Sequence, residues 1–297
     1  MPKSARPRRS VLYMPGSNAR ALGKARTIPA DGLILDLEDA TAPDAKEIAR
    51  NQVCDAVKEG GYGMRELVIR VNALSTRWGY EDIAAASQSG CDAILLPKVE
   101  SADAIRHMEA IMKANGAPES MAIWAMMETP RSVLECTRIA EASPRMACLV
   151  MGTSDLAKEL DCAHTRERLP FITSLGLCLL AARANGLSIL DGVYLDLNDD
   201  AGFDYACSQG VEMGFDGKTL IHPKQVTLCN QAFTPRSDDV AWSRKIIDAH
   251  AAAAARGEGV CVVDGKLIEN LHVESAKRLV AMAEMIERME AQMAPAS

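Results

Sequence analysis

The chain has 297 residues, a formal net charge of −7, and a composition that is 48% hydrophobic but only 4% aromatic. That length suits one large α/β barrel or two ordinary domains, and the core it implies is built from Ala, Leu, Ile, Val and Met. The acidic balance argues against a dedicated nucleic-acid binder, and no apolar run approaches the length of a membrane span.

The first residues, Met1 to Arg9, are basic but lack the apolar segment of a secretory signal, and Pro2 and Pro7 spoil an amphipathic targeting helix. The expectation is a cytoplasmic protein. The nine cysteines contain no CxxC pair, and Cys148 and Cys178 fall inside apolar patterns, so they read as reduced core thiols. No HExxH motif is present among the histidines, which disfavours a zinc hydrolase of that kind.

In chain order, short apolar runs occur at Ser10–Tyr13, Gly32–Leu37, Leu67–Val71, Ala93–Leu96, Met121–Met127, Cys148–Met151, Ser188–Leu190, and Gly214–Phe215 with the residues that follow. Segments of helical spacing alternate with them, among them Asp44–Lys58, Ala102–Lys113, Arg131–Ala142 and Leu169–Ala184. Eight βα units within about 230 residues predict an α/β fold of the (β/α)8 TIM-barrel type. A doubly wound sheet is the rival, but no GxGxxG follows the first strand. After His222-Pro223 the pattern changes. Residues 237–257 read as one Ala-rich helix ending at Gly257, Val260–Ile268 as a hairpin turning at Asp264-Gly265, and His272–Met293 as a last helix. The expected domains are therefore a barrel over 1–236 and a helix–hairpin–helix extension over 237–297.

The ends of the strand runs carry the chemistry. They read Met14-Pro-Gly-Ser17, Asp36-Leu-Glu38-Asp39, Arg70-Val-Asn72, Pro97-Lys98, Glu128, Asp155, Asp191-Gly192 and Asp216-Gly-Lys218. Polar groups at the carboxyl ends of barrel strands form active sites in this fold. The run Ala122–Met127 has no alternation, as in a strand buried on both faces, and it stops at Glu128 before Thr129-Pro130 opens a helix. A similar run ends in Gly152-Thr-Ser-Asp155. Two carboxylates at one edge of adjacent strands repel unless a cation lies between them, which points to a metal site. The alternative is that each carboxylate caps the helix that follows it. Arg70 ends the buried run Leu-Val-Ile-Arg-Val, where an unpaired guanidinium is costly. Its fork suits a substrate carboxylate, or a salt bridge to Asp36 or Glu38. Arg20 and Lys24 lie one helical turn apart after Pro15-Gly16-Ser17, in a pattern that suits phosphates and equally suits a solvated surface.

Taken in order, Val11–Ser17, Asp36–Ala40, Arg70–Asn72, Pro97–Val99, Glu128-Thr129 and Gly217–Pro223 resemble the citrate lyase β-subunit-like CoA-ester lyases of the HpcH/HpaI aldolase superfamily. Malyl-CoA lyases and (3S)-malyl-CoA thioesterases are the most similar in appearance. Trp124–Thr129, Met151–Leu160 and the tail around Asp264-Gly265-Lys266 and Glu269–His272 lean to the thioesterase branch. The resemblance implies Mg²⁺ at the barrel mouth, held by Glu128 and Asp155, with Arg70 binding substrate. It also implies a CoA thioester as substrate, contacted by Tyr13, Arg20, Lys24, Ile221 and His222. Asn18 stands where malyl-CoA lyases tend to carry Arg, so Arg20 is the expected substitute; His222 also reads as a helix cap before Pro223. Family members assemble as trimers or hexamers whose tail carries a catalytic Asp into a neighbouring subunit's site. Here Glu269 stands in that segment, as a candidate base. Two other activities remain open at this point: a citrate lyase β subunit acting on a carrier-bound citryl thioester, and a pyruvate-type class II aldolase.

Overall fold

The structure is a computed structural model and describes residues 6–293; the start of the segment read above for targeting lies outside the described residues. Eight parallel strands close in sequence order into a barrel: β1 (Ser10–Pro15), β2 (Gly32–Asp36), β3 (Glu66–Arg70), β4 (Ala93–Leu96), β5 (Ala122–Met127), β6 (Met146–Met151), β7 (Ser188–Asp191) and β8 (Gly217–Leu220). Side chains alternate across a strand, so each strand feeds two layers. Val11, Ile34, Val68, Leu95, Trp124 and Val150 fill the barrel interior. Leu12, Leu33, Ile69, Ile94, Ile123 and Leu149 face the surrounding helices. Helices such as Lys46–Glu59, Ala102–Ala114, Ile172–Ala184 and Asp200–Met213 cover this outer face. The barrel with its helices is the (β/α)8 architecture that the alternation predicts.

Two local expectations are corrected. Arg131–Ala142 is not one helix but two short ones, Pro130–Leu134 and Cys136–Ala140, because Glu135 leaves the helical region at φ −98° and ψ 7°. The two pieces still bury Val133, Cys136, Ile139 and Ala140. The eighth strand begins later than Gly214. That glycine caps helix Asp200–Met213 in the left-handed region, at φ +95°, and β8 starts at Gly217. A side chain at Gly217 would run into the carbonyl of Arg8, so glycine lets β8 close against β1, with Ser10 beside Lys218 and Leu12 beside Leu220.

This shift puts Asp216 and Lys218 at the start of β8 instead of its carboxyl end, away from the mouth. Lys218 and Asp191 sit opposite one another on the strand face that also carries Ile189 and Leu220, which is the helix side. Asp191 accepts from Lys218 Nζ at 2.8 Å and from Arg168 Nη1 at 2.7 Å, and all three side chains are buried or nearly so. They brace the wall and take no part in the polar ring at the mouth.

The residues group into two compact units, Arg8–Phe233 and a second one from Thr234 onward that also includes the described residues before Arg8. The second unit contains helix Ser237–Ala255, the antiparallel pair β9 (Cys261–Val263) and β10 (Lys266–Ile268), and helix Asn270–Met293. Asp264 and Gly265 both have positive φ, +47° and +76°, which is the backbone an Asp-Gly two-residue hairpin turn requires. Ile246, Val263, Ile268, Val273 and Ala276 form its core. Val260, Val262, Leu267 and Leu271 are exposed within the single chain. The nine cysteines are all free, and Cys148 and Cys178 are buried as their apolar surroundings predict.

Candidate active site

The period-two alternation that points Ile34, Val68 and Trp124 inward also brings Asp36, Arg70 and Glu128 to the inner rim of the barrel. Asp36 and Arg70 are register partners. Asp36 accepts from Arg70 Nε at 2.7 Å and from Nη2 at 2.6 Å, and it also accepts from the N–H groups of Glu38 and Ala40. The remaining Nη1 of Arg70 lies 2.9 Å from Glu38 Oε2 and 3.2 Å from Asp39 Oδ2. The Arg70 guanidinium also stacks over the Tyr13 ring, 4.8 Å from its centroid. Of the two readings of Arg70, the salt bridge is present, and it commits the Nε/Nη2 edge of the fork to Asp36.

The loop after β2 is fixed from behind by Lys46. Its buried ammonium donates to the carbonyl oxygens of Leu37 at 2.8 Å and Glu38 at 2.7 Å. Burial pushes the Lys46 pKa down, although the acids around it work in the other direction. Burial likewise pushes the Glu38 carboxyl up, against the opposing charge of Arg70.

Glu128 is 2% exposed. It is not a helix cap. That position belongs to Thr129, whose hydroxyl accepts from Ser132 N–H while Ser132 Oγ accepts from Thr129 N–H, a reciprocal capping box. Glu128 Oε1 accepts from the N–H of Lys98 at 2.6 Å. Its other oxygen lies against Gly152, where a side chain would meet the Glu128 Cβ and come within 2.8 Å of Oε2. Gly152 thereby lets β6 and the helix it starts, Thr153–Glu159, approach Glu128 closely. Asp155 stands in the first turn of that helix, half-buried and making no side-chain cap bond. Burial, then the charge of Glu38, and further the charge of Asp155 push the Glu128 carboxyl up to about 8, against the Lys98 N–H bond.

A cleft of ≈ 420 Å³ opens beside these groups, lined by Leu96, Pro97, Lys98, Thr129, Asp155 and Lys158 among others. Among the described residues no group of three or more His, Cys, Asp and Glu forms a ready-made metal cage. Glu128 and Asp155 do fit Mg²⁺, a hard cation that takes one or two protein carboxylates and fills its octahedron with water and substrate oxygens. The observation that points to a further cation is that Glu128, buried and beside Glu38 and Asp155, is pushed up to about 8 although Arg70 and Lys98 already stand at the same rim.

The sequence from residue 9 to residue 223 matches the profile of the HpcH/HpaI aldolase/citrate lyase family. The chain belongs to this family. It is 46% identical to a (3S)-malyl-CoA thioesterase of Cereibacter sphaeroides over 96% of this chain and 98% of that one. It is 34% identical to citrate lyase subunit beta of Escherichia coli, with 95% of each chain covered. Among solved structures it is similar to protein CitE from Mycobacterium tuberculosis in complex with magnesium, acetoacetate and coenzyme A, with a TM-score of 0.70 and 27% identity, covering 93% of this chain and 97% of that one.

The other residues singled out from the sequence are spread more widely. Tyr13 stands at the barrel interior beneath Arg70, its hydroxyl 3.5 Å from Met126 Sδ, and burial raises its pKa. Arg20 and Lys24 are exposed on helix Ala19–Ala25, whose N-cap is Asn18. Ile221 is partly exposed just after β8. His222 Nδ1 accepts from Lys224 N–H at 3.2 Å, so the ring does cap the start of the next turn. Glu269 is exposed in the second unit; its N–H donates to His272 Nδ1 at 3.0 Å. Sequence reasoning named Lys98 and Gly152 only as members of strand-end motifs, without a role, and missed Lys46. Each works through the backbone, Lys46 on carbonyls, Lys98 by its N–H and Gly152 by its lack of a side chain, and residue type alone does not signal such roles.

Proposed function

We propose that the protein is a Mg²⁺-dependent enzyme acting on a CoA thioester of the malyl-CoA type, hydrolysing it to malate and CoA. Cleavage of the C–C bond to glyoxylate and acetyl-CoA is the second reaction open to the same site. The observation that carries this reading is Glu128, a buried carboxyl crowded by Glu38 and Asp155 and pushed up to about 8 even with the Lys98 N–H and Arg70 beside it. Greater identity to the thioesterase, 46% against 34% for the citrate lyase subunit, favours hydrolysis of a free CoA ester over a carrier-bound citryl thioester.

In this account Glu128 and Asp155 hold the metal. Bound there, Mg²⁺ would supply Lewis-acid stabilisation of the oxyanion that develops on the substrate. Arg70 binds substrate and acts in catalysis through Nη1, the end of the fork not held by Asp36, while Asp36 fixes its orientation. Tyr13 supports Arg70 from below and faces the acyl end of the thioester. Arg20 and Lys24, exposed one turn apart, pair with CoA phosphates, and Ile221 with His222 flank the rest of the CoA. Glu269 is the general base for the attacking water, and it reaches the site of a neighbouring subunit in a homotrimer or hexamer. The exposed apolar side chains Val260, Val262, Leu267 and Leu271 around it support such an interface. No described helix is long and apolar enough to cross a membrane. Nine unpaired cysteines suit a cytoplasmic setting.

The test is to incubate purified protein with malyl-CoA and follow free thiol and glyoxylate separately. Hydrolysis releases thiol without glyoxylate. Glyoxylate without thiol would make the protein a lyase, and neither product in the presence of Mg²⁺ would overturn the substrate class.

A further inference from the structure

One lysine at the barrel mouth serves two carboxylates, one through its backbone and one through its side chain. Lys98 follows β4 in the left-handed region, at φ +51°, which a residue with a long side chain seldom adopts. In that conformation its N–H donates to Glu128 Oε1 at 2.6 Å, and its ammonium lies 3.3 Å from Glu38 Oε1. The backbone contact is fixed by the turn. The ammonium is not: it ends a flexible four-carbon stem whose side chain is 47% exposed on the cleft shared with Asp155 and Lys158. Arg70, also at this rim, is 8% exposed and already bound to Asp36, Glu38 and Asp39.

We propose that Lys98 is a tethered counter-cation, which neutralises the Glu38–Glu128–Asp155 cluster in the metal-free enzyme and is displaced from Glu38 towards the cleft when a divalent metal enters. The inference rests on the metal reading above and deepens it. A dication and an ammonium serving the same few carboxylates repel one another, so the lysine competes with the metal it prepares the site for. Its role is positioning. The backbone half of Lys98 holds Glu128 in place, while the side-chain half adds a second positive charge at Glu38, on the oxygen that Arg70 does not face, until the ion arrives. A lysine with only a structural role would give weaker metal binding when removed. A competing cation gives tighter binding.

The experiment is a titration of MgCl2 into EDTA-stripped, dialysed full-length protein, read by calorimetry and by the Mg²⁺-dependent rise in melting temperature. The variants are Lys98→Met, Lys98→Gly, Lys98→Arg and Glu128→Gln. Lys98→Met is expected to bind Mg²⁺ about tenfold more tightly than the parent, the size of a screened charge interaction. Lys98→Gly removes both the charge and the left-handed strain; it is expected to follow Lys98→Met and carries the same test should the methionine variant fold poorly. Lys98→Arg keeps the charge and stays within about twofold of the parent. Unchanged or weaker Mg²⁺ binding in both Lys98→Met and Lys98→Gly, with clear binding by the parent, would overturn the proposal and leave the metal reading standing. A parent that shows no Mg²⁺ response, with Glu128→Gln behaving identically, would overturn both.

Discussion

Glu128 is a carboxyl enclosed by protein, facing two other acids, and its behaviour without metal follows from that. In chelated protein its pKa lies at about 8, above an ordinary value of 4.5. The folded state then keeps a proton that the unfolded chain releases, so this group's contribution to stability is complete below about pH 4.5 and is lost as pH rises to about 8. Melting temperatures of EDTA-treated protein should fall across that window, and the fall should be smaller in Glu128→Gln, which cannot ionise. Added Mg²⁺ should restore the parent at the alkaline end. Identical pH profiles for parent and variant would remove Glu128 as the source. At Arg70, retaining charge without the fork is insufficient, because a point ammonium cannot hold both oxygens of Asp36 and also reach Glu38 and Asp39 as Nη1 does. Arg70→Lys should lower kcat/KM by a factor corresponding to about 2 kcal/mol or more. Near-normal kcat/KM would leave Arg70 with a purely structural salt bridge.

Among the elements, the start of helix Thr153–Glu159 bears most directly on the site, since Gly152 sets how close Asp155 comes to Glu128. Gly152→Ala inserts a methyl group against the Glu128 side chain and should destabilise the protein by about 1–3 kcal/mol. Its loss of Mg²⁺ affinity should exceed that of Gly23→Ala, a control where an added Cβ meets nothing within 4 Å. Equal Mg²⁺ affinity in the two variants would show that the approach at Gly152 is unimportant. The strands with continuous apolar runs were legible in the sequence because burial on both faces leaves no other composition. The acids that end them were legible for the same reason, as the first charges after the run. β8 was obscured because its Gly217 is there for closure and its Lys218 is neutralised by Asp191, a residue 27 positions away. Arg168 and Lys46 carry no signal in the sequence, since only the fold brings Asp191 to one and two loop carbonyls to the other. The Asp264-Gly265 turn was legible outright, because its backbone requirement is local.

For the whole molecule, the proposed function places Glu269 in a neighbouring subunit's active site. An inactive Arg70→Ala protein mixed with an inactive Glu269→Ala protein should regain part of the parental activity, because some mixed sites receive an intact residue from each. No recovery, with subunit exchange verified by a label, would take Glu269 out of the neighbouring subunit's chemistry. The central claim is that the carboxylates at the barrel mouth bind a divalent metal on which turnover depends. Its most direct test is the rate of thiol release from malyl-CoA by the parent, Glu128→Ala and Asp155→Ala, each measured with Mg²⁺ and with excess EDTA. The account predicts turnover by the parent with Mg²⁺ alone, and none by either variant under any condition. Full activity of the parent in EDTA, or of either variant with Mg²⁺, would contradict it.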